Sequence, residues 1–208
     1  MKVLLFSITS LKNSETKKLI DSRINEFSKF KNKTCNDIFN ELCFCILTAN
    51  YSAEGAIKIQ NTIGTGFISL PKPKLAKKLK SLGYRFPNKR AEYISEARKH
   101  KSRIKEKLCS FKNEFTAREW LVKNVKGLGF KEASHFLRNI GYENMAIIDF
   151  HIIDLLVKHK LIERPKTLTK NKYLEIEKLL EKIASKSNLT QGELDLYLWY
   201  LETGKVLK

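Results

Sequence analysis

The stretch that decides the fold runs from Val125 to His151 and reads VKGLGFKEASHFLRNIGYENMAIIDFH. Gly127 and Gly129 separate two segments with helical spacing, which predicts a hairpin between two helices at about residues 120–140. Glycines permit a tight turn whose backbone approaches a ligand, and the free N–H groups that begin the next helix suit a phosphate. On these two glycines alone, a plain helix connection with a glycine C-cap explains the pattern at least as well.

Two chemically active side chains follow the glycines. Lys131 stands two residues after Gly129, near the expected start of the second helix, and Asp149 follows 18 residues later. A neutral lysine amine can displace a base from a sugar carbon and leave a Schiff base, and desolvation together with the helix dipole favours the neutral form. A carboxylate fixed at the head of a helix can act as a base or stabilise positive charge. The simpler interpretations are a phosphate-pairing lysine and an ordinary N-cap aspartate.

The composition restricts the partners that the chain can have. Forty Lys and Arg against twenty-two Asp and Glu give the 208 residues a formal charge of +18. Such a charge attracts polyanions, nucleic acid first and an anionic membrane surface as a distant alternative, although a lysine-rich proteome would also produce it. No apolar run reaches the roughly 18 residues of a membrane helix, and the N-terminus lacks a clear cleavage site, so we expect an intracellular protein.

The cysteines and histidines show no metal-binding pattern. The chain has four of each, without a C-x-x-C pair and without the spacing of a zinc site or an iron–sulfur loop. Cys43 and Cys45 lie in an apolar helical segment and are predicted to be reduced core residues. We therefore expect no required cofactor, no metal held through side chains and no iron–sulfur cluster.

Nearly every segment has helical periodicity, which predicts an all-α fold of about ten helices. We expect a single domain over residues 1–208, and the short polar connections alone do not decide whether its helices form one unit or two lobes. Capping boxes are predicted to open helices at Thr116–Glu119 and at Thr190–Glu193. Asn50 or Ser52 is predicted to cap a further helix.

The hairpin segment GLGFKEA, followed by IIDFH, resembles the signature of the helix-hairpin-helix DNA glycosylases. Its lysine resembles that of the bifunctional members, which release a base and also nick the strand. Over the whole chain, the sequence is similar to the archaeal-type 8-oxoguanine DNA glycosylase/AP lyases. The other similar segments are ELCFCILTAN at Glu41–Asn50, YRFPNKRAEYI at Tyr84–Ile94, and ELDLYLWYLETGKVLK at the C-terminus. The resemblance implies a helix-hairpin-helix glycosylase fold with two lobes flanking an active-site cleft.

The resemblance also implies a reaction. A nucleotide carrying 8-oxoguanine is flipped out of double-stranded DNA, Lys131 attacks its C1′ carbon with Asp149 assisting, and the resulting imine permits β-elimination. Lys208 resembles the family's C-terminal lysine, which is implicated in distinguishing 8-oxoguanine from guanine. The remaining expected contacts are with DNA at Gly127, Gly129, Asn50 and His151, and with the flipped base at Phe86 and Trp199. Core packing of the two aromatic rings, a helix cap at Asn50 and a structural role for His151 are the simpler alternatives.

The chain departs from the family pattern at three positions beside the site. Lys126 stands where many relatives have proline, Ile148 stands where proline or valine is common, and Phe150 stands where arginine is expected. These differences concern the geometry of the loops more than the chemistry, because Lys131 and Asp149 are both present.

Three functions compete at this point. The leading hypothesis is a bifunctional 8-oxoguanine glycosylase/AP lyase, a monomer acting on duplex DNA in the cytoplasm, at the nucleoid. The alternatives are a related glycosylase for another damaged base and a non-catalytic DNA-binding module, which has no need for both Lys131 and Asp149. By resemblance, a monovalent cation could be held by hairpin carbonyls, those of Val125 and Leu128.

Overall fold

The computed structural model describes residues 1–208 as helices and connecting segments, without any strand. The all-α prediction is confirmed. Three of the helices were not predicted as separate elements: Lys2–Lys12, Gly66–Ser69 and Ile104–Cys109. Short 3₁₀ helices cover Phe30–Asn32 and Arg98–Arg103. The α-helices are α1 Lys2–Lys12, α2 Thr16–Lys29, α3 Cys35–Thr48, α4 Ala53–Ile63, α5 Gly66–Ser69, α6 Lys72–Ser81, α7 Pro87–Ala97, α8 Ile104–Cys109, α9 Glu114–Asn124, α10 Phe130–Asn139, α11 Phe150–Lys158, α12 Lys170–Lys186 and α13 Gln191–Thr203.

The helices form two compact units. We call residues 1–28 and 141–208 the terminal unit, and residues 29–140 the middle unit. Each unit buries its own set of apolar side chains. None of the helices combines the length and the apolar character that a bilayer crossing requires.

Helix α3 is the centre of the middle unit and packs against α4, α5, α7, α8 and α10. A capping box opens it, because the Thr34 hydroxyl accepts from the Asp37 N–H and the Asp37 carboxylate accepts from the Thr34 N–H. Cys43 and Cys45 are free thiols and fully buried in this helix, as predicted. Burial raises the pKa of the Cys43 thiol well above its ordinary value.

A buried carboxylate fixes α10 to this core. Glu41 of α3 is only 2% exposed, and it accepts hydrogen bonds from Asn139 Nδ2 at 2.6 Å and from Gln60 Nε2 at 3.1 Å. A carboxylate removed from water needs such donors, since an unpaired buried charge is costly. The end of α10 is thereby anchored to α3 and α4, which stabilises the helix that carries Lys131.

Helix α13 is the centre of the terminal unit and packs against α1, α11 and α12. Its predicted capping box is confirmed, with the Glu193 N–H donating to Thr190 Oγ1 at 3.2 Å and the Thr190 N–H donating to Glu193 Oε2 at 2.7 Å. The helix ends at Gly204, which has a left-handed backbone conformation with φ of +69°. The four residues up to Lys208 follow it.

Candidate functional site

The hairpin predicted from the two glycines is present between α9 and α10. Gly127 has φ of +86°, and a Cβ atom placed there would lie 2.5 Å from a ring carbon of Tyr93. The turn therefore requires glycine at this position for two independent reasons, backbone conformation and lack of space. Gly129 is the N-cap of α10, so the free N–H groups of this helix begin directly after the turn.

A buried arginine holds the two hairpin helices together. Arg118 of α9 is 2% exposed, and its guanidinium carbon lies 5.6 Å from the ring centre of Phe115 and 5.0 Å from that of Phe130. Its Nη1 atom donates a hydrogen bond to Oγ of Ser134 in α10 at 3.1 Å. Because a planar guanidinium can contact aromatic faces and also donate in its own plane, one side chain connects α9 to α10.

Lys131 lies in the first turn of α10, as the sequence predicts, with its side chain 22% exposed. The sequence analysis missed its neighbour Glu132. The Glu132 carboxylate accepts a hydrogen bond from the Gly129 N–H at 3.1 Å, and its other oxygen lies 3.9 Å from Lys131 Nζ. The signal was available, because a glutamate three residues after an N-cap is the second half of a capping box. The N-terminal end of α10, where a phosphate is predicted to bind, thus already holds an anionic group of the protein itself.

The turn that contains Asn50 connects α3 to α4. Asn50 is exposed and has a left-handed backbone conformation, with φ of +59°, which asparagine tolerates better than most residues. Ser52 is the N-cap of α4, where its hydroxyl accepts from the Gly55 N–H. The interpretation of Asn50 as the cap is therefore wrong, and its side chain is presented at the tip of the turn.

Tyr84 and Arg90 join this turn to the segment that carries Phe86. The Tyr84 hydroxyl donates to the Leu47 carbonyl at 2.7 Å, and the Arg90 guanidinium donates to the Ala49 carbonyl at 2.8 Å and to the Tyr84 oxygen at 3.1 Å. Burial raises the pKa of the Tyr84 hydroxyl, although the bonded guanidinium opposes this shift. Phe86 itself precedes α7 and is 46% exposed, with Arg85 over its ring at 5.0 Å.

Helix α7 connects these elements to the hairpin. Tyr93 of α7 lies against Gly127, and the Glu96 carboxylate pairs with Lys126 Nζ at 3.0 Å. This ion pair gives Lys126, one of the positions that departs from the expected family pattern, a partner within the middle unit. The structure therefore brings three sequence motifs of the middle unit together around one helix: the Asn50 turn, the Phe86 segment and the hairpin.

Asp149 stands at the head of α11 in the terminal unit, as predicted. Its Oδ1 atom accepts from the Ile152 N–H at 3.0 Å, so it is the N-cap of the helix. The preceding segment is fixed to α12, because the Ala146 N–H donates to Glu177 at 3.0 Å and the Tyr173 hydroxyl donates to the Ala146 carbonyl at 2.7 Å. One N–H group thus orients the carboxylate, and the bonds to α12 fix the segment that precedes it.

An aromatic stack follows Asp149. The Phe150 ring is 64% exposed and lies 3.9 Å from the His151 ring, which in turn meets the Trp199 ring edge-on at 4.7 Å. The indole N–H of Trp199 is buried and has no hydrogen-bond partner in the protein. Lys208, the last residue, is partly buried. The terminal unit thus contains the expected carboxylate, one expected DNA contact and two expected base-recognition residues.

The candidate residues are distributed over both units. Gly127, Gly129, Lys131, Asn50 and Phe86 belong to the middle unit, and Asp149, His151, Trp199 and Lys208 belong to the terminal unit. No group of three or more His, Cys, Asp or Glu side chains is arranged to hold a metal ion.

The chain is similar to named proteins over almost its whole length. A family model described as 8-oxoguanine DNA glycosylase matches residues 20–189. A Methanocaldococcus jannaschii protein named 8-oxoguanine DNA glycosylase/AP lyase is 58% identical over 207 residues, covering 99% of this chain and 100% of the relative. A Korarchaeum cryptofilum protein of the same name is 51% identical over 206 residues, covering 99% and 98%. The crystal structure of the M. jannaschii protein with a 15mer DNA containing 8-oxoguanine has a TM-score of 0.97 at 58% identity, covering 99% of this chain and 100% of that one.

Proposed function

Because the chain belongs to the 8-oxoguanine DNA glycosylase family, we propose that it excises 8-oxoguanine from double-stranded DNA and cleaves the strand as an AP lyase. The observation that carries the proposal is the position of Lys131, in the first turn of α10 directly after the Gly127 turn. An amine there stands beside backbone N–H groups that suit a phosphate. A nucleophile and a grip for the DNA backbone therefore share one structural element.

In the proposed complex, the hairpin binds a phosphate of the damaged strand through the backbone of Gly127, Gly129 and the start of α10. The Glu132 carboxylate supports this role, since the Gly129 N–H already donates to an anionic oxygen. Binding exchanges that carboxylate for a phosphate oxygen. His151, at the start of α11, contacts a second phosphate.

The chemistry assigned to Lys131 follows from its amine. Neutral Nζ attacks C1′ of the flipped nucleotide, the bond from C1′ to the base breaks, and the base leaves with the electron pair and takes up a proton. The nitrogen loses one proton, the bond from C1′ to O4′ breaks, and O4′ takes up a proton, which leaves a protonated Schiff base between C1′ and Nζ. Removal of a C2′ proton then expels the 3′ phosphate oxygen from C3′, which nicks the strand. Asp149 accepts the proton from the attacking amine and stabilises the positive charge on the sugar.

Recognition of the lesion is assigned to aromatic faces and to the C-terminus. Trp199 and Phe86 stack on the flipped purine, and exposure of the Phe86 ring supports this assignment. The indole N–H of Trp199, which lacks a partner within the protein, provides a donor for a bound group. Lys208 supplies an ammonium, which can donate to the O8 atom that 8-oxoguanine has and guanine lacks. Asn50, at the tip of its turn, contacts the base left behind in the duplex.

Three further assignments complete the proposal. A monovalent cation binds to the carbonyls of Val125 and Leu128. The Val125 carbonyl accepts only a long hydrogen bond, of 3.3 Å, from the Leu128 N–H, and a carbonyl oxygen has a second lone pair. The protein works as a monomer without a required cofactor, and it acts in the cytoplasm at the nucleoid.

Borohydride trapping on a duplex that contains 8-oxoguanine tests the central claim. Wild-type protein is expected to form a covalent protein–DNA adduct, and Lys131→Gln is expected to form none. Lys126→Gln is the matched control, because it removes an exposed lysine of the same hairpin and should trap as wild type does. Equal trapping by Lys131→Gln would show that another amine is the nucleophile.

A panel of lesions in the same assay tests the substrate. The proposal predicts base release from the 8-oxoguanine duplex, and predicts that deletion of Lys208 reduces the preference over guanine. A stronger reaction with an oxidised pyrimidine or an alkylated purine would assign the protein to a different lesion. Salt-sensitive binding without release of any base would instead identify a non-catalytic DNA-binding module.

A further inference from the structure

All the charged side chains of helix α6, in the middle unit, are positive. Its ten residues read KPKLAKKLKS and contain five lysines and no acidic residue. Leu75 and Leu79 are buried against the core, whereas all five lysines are exposed and none forms an ion pair with a carboxylate. We call the set the lysine face of α6: Lys72, Lys74, Lys77, Lys78 and Lys80.

The lysine-rich helices α2 and α12 mix the two signs of charge. In α12, exposed lysines alternate with glutamates, and Lys172 pairs with Glu175 at 2.8 Å. In α2, Lys17 and Arg23 both have acidic partners within the helix. A general excess of lysine in the proteome would produce mixed helices of this kind. The lysine face of α6 therefore needs an explanation of its own.

The arrangement in α6 is unfavourable for the isolated helix. Lys74 lies three residues before Lys77 and four before Lys78, and like charges at these spacings destabilise a helix. Acidic residues at some of these positions would relieve the repulsion. A polyanion that binds along the exposed side would relieve it as well, and DNA phosphates have the required charge.

Helix α7 connects the lysine face to the hairpin within the middle unit. α6 packs against α7, and α7 contacts the hairpin through Tyr93 beside Gly127 and through Glu96 with Lys126. Packed helices lie about 8–10 Å apart, and a duplex advances about 3.4 Å per base pair. Two such spacings, from α6 to α7 and from α7 to the hairpin, amount to about 16–20 Å, so a duplex held at the hairpin has phosphates level with α6 about five to six base pairs away.

We infer that the lysine face of α6 is an accessory DNA-binding surface that contacts backbone phosphates outside the lesion site. The inference rests on the proposed function, since it takes DNA as the partner, but it concerns a surface that plays no part in base release. Contacts of this kind are independent of sequence and of damage. They extend the bound length of the duplex and make affinity more sensitive to salt.

The test compares two charge-matched triple variants. Lys74→Gln/Lys77→Gln/Lys78→Gln changes the lysine face, and Lys178→Gln/Lys182→Gln/Lys186→Gln removes three exposed lysines from the mixed helix α12. Affinity for an undamaged duplex is measured by fluorescence anisotropy over a series of salt concentrations, on a long duplex and on a short one. Thermal midpoints of the wild type and both variants check that all three proteins are folded. Substitution of exposed lysines is expected to change stability little.

Each lost phosphate contact lowers the slope of log affinity against log salt by about 0.9. The α6 variant is expected to lower the slope by up to about 2.7 on the long duplex and much less on the short one, while the α12 variant keeps the wild-type slope. Equal slopes for the two variants on the long duplex would overturn the inference. The inference would also be overturned if the α6 variant lost binding to anionic phosphatidylserine vesicles while its salt slope for DNA stayed that of the wild type. That result would identify the lysine face as a membrane-binding surface.

Base release by excess enzyme separates this inference from the proposed function. At saturating protein, the α6 variant should release 8-oxoguanine at the wild-type rate. If wild-type protein releases no base at all, the proposed function fails, while the salt slopes on undamaged DNA still decide the role of the lysine face.

Discussion

Asp149 caps α11 and is also the proposed catalytic carboxylate, and two substitutions separate these roles. Asparagine caps a helix about as well as aspartate, so Asp149→Asn keeps an acceptor for the Ile152 N–H at 3.0 Å and loses only the charge. The charge at a helix N-terminus contributes about 0.3–1 kcal/mol. Asp149→Ala loses the hydrogen bond as well, which adds about 0.5–2 kcal/mol.

These values predict an order of stability, with the wild type highest, Asp149→Asn intermediate and Asp149→Ala lowest. For a chain of this size, 1 kcal/mol changes the thermal midpoint by about 2–4 °C. The rates of base release should not follow the same order. Loss of a general acid–base group costs about 10²–10⁴-fold, so both variants are expected to fall by this factor in single-turnover assays.

Thr169→Ala is the matched control, because Thr169 caps α12 in the same unit by accepting from the Lys172 N–H at 3.3 Å. It should lower the thermal midpoint about as much as the loss of the Asp149 hydrogen bond and leave base release unchanged. Base release by Asp149→Asn within a few-fold of wild type would refute the assignment, since the charge would then be dispensable. A midpoint of Asp149→Ala equal to that of Asp149→Asn would refute the argument about the cap.

Two further predictions concern the middle unit. Gly127→Ala is expected to lower the thermal midpoint and weaken DNA binding, because it combines a positive φ, which costs about 1–2 kcal/mol, with a Cβ atom 2.5 Å from the Tyr93 ring. Gly83→Ala is the control for the backbone cost alone, since Gly83 has φ of +78° and no atom within 4 Å of an added Cβ. Equal losses of thermal midpoint for the two variants would disprove the steric part of the prediction. Burial lowers the pKa of His100 from its usual 6.5, so its contribution to stability is complete above about pH 6.5 and is lost as the pH falls through the lower folded value. His100→Phe, which keeps the edge-on contact with Trp120 at 5.0 Å, should therefore show a shallower fall of the thermal midpoint below pH 6.5, and a curve parallel to wild type would contradict the assignment.

Capping patterns in the sequence predicted the start of a helix where neighbouring residues alone determine it. The Thr190–Glu193 box is confirmed because both partners lie within one turn of the helix that they open. The same pattern at Thr116–Glu119 was misleading. Asn113, three residues earlier, is an equally good cap, and its Oδ1 accepts from the Thr116 N–H at 3.0 Å. Thr116 thus lies inside α9, and the helix begins before the predicted box.

Contacts between distant parts of the chain left no signal of this kind. Arg90 and Tyr84 reach carbonyl groups 41 and 37 residues earlier in the sequence, and Glu41 binds Asn139 across 98 residues. In the sequence, these side chains occur in ordinary helical patterns, and only the packing of α3, α7 and α10 brings them together. The sequence could therefore indicate a lysine after a glycine turn, but not the buried polar groups that position its helix.

The burial of Cys43 and Cys45 in α3 has a consequence for redox chemistry. Oxidants attack the thiolate form of cysteine, and they are also the agents that convert guanine to 8-oxoguanine. The raised pKa of Cys43 keeps its sulfur protonated, and complete burial shields both sulfurs from dissolved peroxide. Cys109, which is exposed at the end of α8, is therefore expected to be oxidised before either of them. The centre of the middle unit stays chemically intact under the conditions that create the proposed substrate.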